Sequence, residues 1–149
     1  MASDIRPARE SDLDWLLRGL VEQVPHTRSA VLLSADGLTS AAHGLEADSA
    51  DALAAIASGL FSIARSAATR LGRSDGVRQV LAELDDTLLF VSSAGFGSVL
   101  AVVAGREADA GVLGYEMAQL VKSVRPFLAT PARDTGAAAQ EPRDPAGRA

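Results

Sequence analysis

Two turn-closed apolar segments flank one long alanine-rich helix, and that order confines the chain to few topologies. The first segment runs from Ser29 to His43 with Asp36-Gly37 at its centre, and the second from Val77 to Ala104. Between them, Asp48 to Gly72 reads as a single helix carrying many small side chains. A hairpin, a helix and a three-strand meander bury their apolar faces most simply as one sheet with helices packed on it.

Within the second segment, Leu88-Leu89-Phe90-Val91 and Val99-Leu100-Ala101-Val102-Val103 are apolar at both alternating positions. That is the pattern of strands covered on both faces, so these are the expected central strands. Val77 to Leu84 instead mixes Arg78, Gln79 and Glu83 with Val80 and Leu81, as an edge strand does. Asp85-Asp86 and Ala94-Gly95-Phe96-Gly97 are short enough to join the three strands as hairpins. In the first segment, Ser29 to Ala35 and Leu38 to His43 pair around Asp36-Gly37, expected as a type I′ turn with both residues at positive φ.

Three helices are expected. Ser11 reads as the N-cap of the first, whose Leu13, Leu16, Leu17, Leu20, Val21 and Val24 recur as one stripe until Pro25. Trp15 lies nearly opposite that stripe, placed either to pack sideways on the last helix or to anchor a partner. The long helix takes its cap near Asp48 or Ser49, with Asp51 in the first turn and Arg65, Arg70 and Arg73 towards its end, where Gly72 is the expected C′ residue. Its expected buried stripe is Leu53, Ile56, Leu60, Ile63 or Ala64, Ala67 and Leu71. Away from the stripe, Ala54, Ala55, Ser58, Gly59, Ser62, Ser66 and Thr69 form a face of small side chains on which another helix can approach closely. Gly59 sharpens this, because a mid-helix glycine costs ~1 kcal/mol relative to Ala and calls for a packing reason. Asp109 caps the last helix, whose stripe is Val112 or Leu113, Met117, Leu120, Val121 and Val124; Pro126 is expected to stop it, with Phe127 and Leu128 completing the core.

At 149 residues and 48% hydrophobic content, the chain makes one domain, expected over 11–128 after an extension at 1–10. Residues 129–149 hold almost no large apolar side chain and are expected to be a disordered tail. Cysteine is absent, which excludes a disulfide framework and a thiolate nucleophile. His26 and His43 have no companion at metal-ligand spacing, and Ser34, Ser92 and Ser93 lack a nucleophile-elbow setting. Gly95-Phe96-Gly97-Ser98 has the glycines of a phosphate loop but no lysine, and it leads into a strand. Asp85-Asp86 reads as a solvated turn. The residues therefore point to no catalytic group, metal or cofactor, and the chain is expected not to be an enzyme. Nineteen acidic against fourteen basic residues leave a net charge of −5, which disfavours a nucleic-acid partner. The opening residues form no signal-like apolar core, and no run reaches the ~18 uninterrupted apolar residues of a membrane span. A soluble cytoplasmic protein without membrane insertion is the expectation.

Three segments carry a family resemblance: Leu13-Asp14-Trp15-Leu16-Leu17, Val31-Leu32-Leu33-Ser34-Ala35-Asp36-Gly37-Leu38, and Gly114-Tyr115-Glu116-Met117-Ala118-Gln119-Leu120-Val121. In this order they resemble the bacterial members of the Roadblock/dynein-light-chain superfamily encoded in operons with a sensor-kinase-like protein and a small Ras-like GTPase. The resemblance covers roughly Leu13 to Leu128. It implies an α+β, profilin-like fold of order α-β-β-α-β-β-β-α: a five-stranded antiparallel sheet with helices 1 and 3 on one face and the long helix 2 on the other. It also implies a homodimer joined through helix 2 and the following strand, and a regulatory platform for a Ras-like GTPase and a kinase-like protein. Relatives typically provide no arginine finger, so Arg65 and Arg70 are not given that role. The interface residues expected on these grounds are Ala55, Ser58, Gly59, Ser62, Arg65, Ser66 and Thr69 of the helix with Val77, Gln79 and Leu81 of the strand. The alternative reading is a small-molecule sensor with its ligand held between sheet and helix.

Overall fold

The computed structural model describes residues 8–72 and 76–129. Its elements are α1 (Ala8–Gln23), β1 (Thr27–Ser34), β2 (Thr39–His43), α2 (Ala47–Arg70), β3 (Gln79–Glu83), β4 (Thr87–Gly95), β5 (Ser98–Gly105) and α3 (Ala110–Ala129). The five strands form one antiparallel sheet in the order β2-β1-β5-β4-β3. This is the expected element order, with the doubly apolar β4 and β5 inside the sheet and β3 at its edge. Arg73 and most of the expected extension and tail lie outside the described residues.

Strand alternation divides the core into two layers. On one face Ala30, Leu32, Phe90, Leu100 and Val102 pack against Leu13, Leu17 and Leu20 of α1 and Leu113, Met117 and Val124 of α3. The other face presents Val31, Leu33, Leu89, Val91, Val99 and Ala101 to α2. Fully burying an aliphatic or aromatic side chain contributes about 1.5–3 kcal/mol, so these two layers supply most of the driving force for folding.

The inward side of α2 differs from the expected one. Its buried residues are Ala50, Ala54 and Ala57, whereas Ile56, Ile63 and Leu71, assigned to the core by their size, are exposed at 55%, 69% and 74%. Leu53, Leu60 and Phe61 lie at the margins, half-buried. The sheet surface beneath is already built of Val and Leu, so small helix side chains let the two layers close without overpacking.

Local signals at element ends explain four further differences. Helix α1 starts at Ala8, so Ser11 lies within it and is not its N-cap. The N-cap position of α2 falls on Glu46, with no side-chain cap, two residues before Asp48; Asp51 instead accepts a hydrogen bond from Thr39 Oγ1 at 2.8 Å and ties the helix to β2. Pro126 lies inside α3, which continues to Ala129. The proline removes one backbone donor near the helix end, while Phe127 and Leu128 pack on the core and hold the last turn. At the β1–β2 connection Gly37 alone takes a positive φ, of 91°. Gly37 N–H donates to Ser34 C=O and Ser34 N–H to Leu38 C=O, as in a turn followed by a bulge with a left-handed glycine, not a type I′ pair. Two expected ends hold: Gly72, at φ 75°, follows the C-cap Leu71, and Asp109 Oδ1 accepts the Val112 N–H at 3.0 Å.

Candidate interaction surface

Laying the Ala50-Ala54-Ala57 side of α2 on the sheet turns its opposite side outward. That side carries Ile56 and Ile63 with Ala55, Gly59, Ser62, Ser66 and Thr69, all exposed. A Cβ added at Gly59 would meet nothing within 4 Å. No contact inside the protomer therefore requires glycine there. Among the described residues α2 is also the one helix long and apolar enough, by length and composition, to cross a membrane. The sheet covers only one side of this helix.

The expected interface residues divide between four places. Ala55, Gly59, Ser62, Ser66 and Thr69 share the outer side of α2, Thr69 Oγ1 donating back to Arg65 C=O at 3.2 Å. Ser58 does not join them: it is half-buried and its hydroxyl donates to Ala35 C=O at 2.7 Å, pinning α2 to the β1–β2 turn. Arg65, exposed, overhangs an open cleft of about 310 Å³ between Phe61 and the β4–β5 hairpin, a cleft that Val77 also lines. Gln79 and Leu81 are exposed on β3, but they point to the sheet face of α1 and α3, since Leu81 pairs with the α3-side Phe90. Helix α2 and β3 thus meet through Val80 and Ala82, which pack on the α2 side.

Sequence reasoning missed Ile56 and Ile63. The available signal was the combination of large and small apolar residues around the whole helix, which a single buried stripe cannot absorb. Trp15 is 66% exposed and borders a groove of about 260 Å³ between α1 and α3, next to Leu16, Gly19 and Gln119. His26 stands in the α1–β1 turn at φ 70°, its carbonyl accepting the Gly105 N–H, and His43 ends β2. No group of three or more His, Asp or Glu among the described residues is placed to hold a metal ion.

The geometry is that of a known domain. A family model described as the Roadblock/LC7 domain matches residues 13–104. The chain belongs to the Roadblock/LC7 family. A crystal structure of a Roadblock/LC7 domain from Streptomyces avermitilis is 68% identical, with a TM-score of 0.77 over 78% of this chain and 98% of that one. The gliding protein MglB of Thermus thermophilus shares the fold at 17% identity and a TM-score of 0.74, over 84% of this chain and 94% of that one. Another MglB structure, of tetrameric arrangement, matches at 17% identity and a TM-score of 0.74, over 82% of this chain and 91% of that one. No curated protein matches the sequence. In this Roadblock domain the outer side of α2 exposes Ile56 and Ile63 to solvent.

Proposed function

We propose that this Roadblock domain is a homodimeric, non-enzymatic regulatory platform that binds a small Ras-like GTPase and biases its nucleotide state, with a kinase-like protein as a further partner. The observation that carries this reading is the outward Ile56-Gly59-Ile63 side of α2 beside the unpaired edge of β3. Family membership supports it, and so does the tetrameric arrangement of an MglB of the same fold, since the fold then accommodates self-association. Two protomers would set α2 against α2 across Gly59 and continue the sheet through β3. That satisfies the edge hydrogen bonds and removes Ile56 and Ile63 from water together. The same pairing needs no bilayer to cover α2, in keeping with a cytoplasmic protein.

Regulation would follow from differential affinity, because only a partner that prefers one state shifts the equilibrium between two. The composite surface of paired α2 helices, flanked by Arg65 and Arg70, is the docking face on this reading. Light scattering should give a dimer for the wild type and a folded monomer for Gly59→Leu. Titration with the Ras-like GTPases of the source genome, loaded with GDP or a GTP analogue, should give unequal affinities. A dimer that survives Gly59→Leu removes α2 from the interface; equal or absent binding to both nucleotide states removes the regulatory role.

A further inference from the structure

A second surface lies on the other face of the sheet, away from α2. Between α3 and the approach to β3 runs an open groove of about 440 Å³, floored by Met117 and Ser92 and walled on one side by Gly114 and Ala118. Its lining includes Arg78, Lys122 and Arg125, and no carboxylate among the described residues. The three cations converge from two elements: Lys122 and Arg125 lie one turn apart on α3, and Arg78 immediately precedes β3. All three are exposed, and none makes an ion pair or a side-chain hydrogen bond among the described residues. Like charges at such spacing repel, and a carboxylate brought to the groove would relieve that repulsion.

The floor holds one polar group. The Ser92 hydroxyl is buried and has no hydrogen-bond partner. It pairs in register with Gln79, whose amide reaches across towards α3, its Oε1 lying 3.8 Å from where a Gly114 Cβ would stand. A buried hydroxyl left unpaired costs free energy, and a ligand meets this one only if the Ser92 side chain turns towards the groove.

The geometry points to this groove as a docking site for an acidic segment of a partner protein, its carboxylates meeting Arg78, Lys122 and Arg125 and its apolar side chains resting on Val77, Ala118 and Val121. A protein segment fits better than a nucleic acid, because three cations are few for a phosphate backbone and the groove lining is largely apolar, which suits side chains that alternate acidic and apolar. Residues 130–149 of this chain fit less well, since Asp134, Glu141 and Asp144 there are balanced by Arg133, Arg143 and Arg148. The groove lies on the sheet face opposite α2 but shares Val77 and Gln79 with the β3 edge proposed for the dimer, so binding is read on both the wild type and the Gly59→Leu variant.

The test uses the full chain and a short labelled peptide of Glu, Leu and Gly, with the same peptide carrying Gln for Glu. Fluorescence anisotropy should show the Glu peptide binding about tenfold or more tightly than the Gln peptide, weakening as salt is raised. Amide NMR shifts should change at Gln79, Ser92 and Ala118. The double variant Lys122→Glu/Arg125→Glu should lose binding, Lys122→Gln/Arg125→Gln should weaken it without reversing charge, and Arg18→Glu on α1 should leave it intact. Equal affinity for the two peptides, shifts centred elsewhere, or binding that survives both double variants would overturn the proposal. So would inorganic phosphate giving the same shifts at the same concentration, which would mark a simple anion site, or binding that appears only after removal of residues 130–149.

Discussion

Phe96 sits between Gly95 and Gly97, and all three residues have positive φ, at 52° for the phenylalanine. The left-handed region costs an L-residue roughly 1–2 kcal/mol, and at 65% exposure the ring recovers little of that through burial. Phe96→Gly should therefore stabilise the protomer by about 1 kcal/mol, read as a raised midpoint in urea unfolding with an unchanged slope. The opposite sign would mean that the ring holds a contact worth more than the strain. Gly59 makes the complementary case. With open space around its missing Cβ, Gly59→Ala should add about 1 kcal/mol to the isolated protomer through helix propensity alone. If α2 pairs across this position, the same methyl group should raise the dissociation constant of the dimer. Unfolding at high dilution and sedimentation at high concentration separate the two effects. A variant more stable in both assays would leave Gly59 without its packing reason.

At the scale of elements, α2 has one face for the sheet and another for a partner, and substitutions should distinguish them. Ala54→Leu places a large side chain against Val and Leu of the sheet and should cost 1–3 kcal/mol, roughly, of protomer stability. Ile63→Ser removes an exposed side chain and should change protomer stability by no more than about 0.5 kcal/mol while weakening self-association. Urea unfolding of monomeric protein and light scattering read the two outcomes. This contrast also marks where the sequence was legible. The order of elements and the interior place of β4 and β5 followed from doubly apolar strands, and the ends at Gly72 and Asp109 from capping chemistry. The inward face of α2 did not follow, because its stripe was assigned by side-chain size, whereas complementarity to a bulky sheet selects Ala50, Ala54 and Ala57. Asp36-Gly37 and Phe96-Gly97 show the same limit at turns: residue type favoured positive φ at Asp36, yet the tight hairpin set by the Gly95–Ser98 pairing imposed it on Phe96. Of the candidate surface, the small residues were legible. Ile56 and Ile63 were hidden because a missing partner looks, in sequence, like a core.

For the whole molecule, the sheet has two edges and they are not equivalent. Strand β2 lies under α1 beside the α2 contact from Asp51 to Thr39, whereas β3 is flanked by an α2 whose outer side is apolar and by the open groove next to α3. Association through α2 and β3 would extend the sheet at one edge and leave the other free. Hydrogen exchange can tell them apart, because an outward amide on a free edge exchanges with water while one paired across an interface is protected. At concentrations where the protein self-associates, the outward amides of β3 between Gln79 and Glu83 should exchange slowly and those of β2 between Thr39 and His43 rapidly. Dilution, or Ile63→Glu, should make β3 exchange as fast as β2, and the thermal midpoint should fall with it, since assembly stabilises the folded state by mass action. Protection confined to β2 would place the junction at the opposite edge. Protection at neither edge, with the α2 variants still dissociating the assembly, would mean helix pairing alone and two sheets that end where the protomer ends.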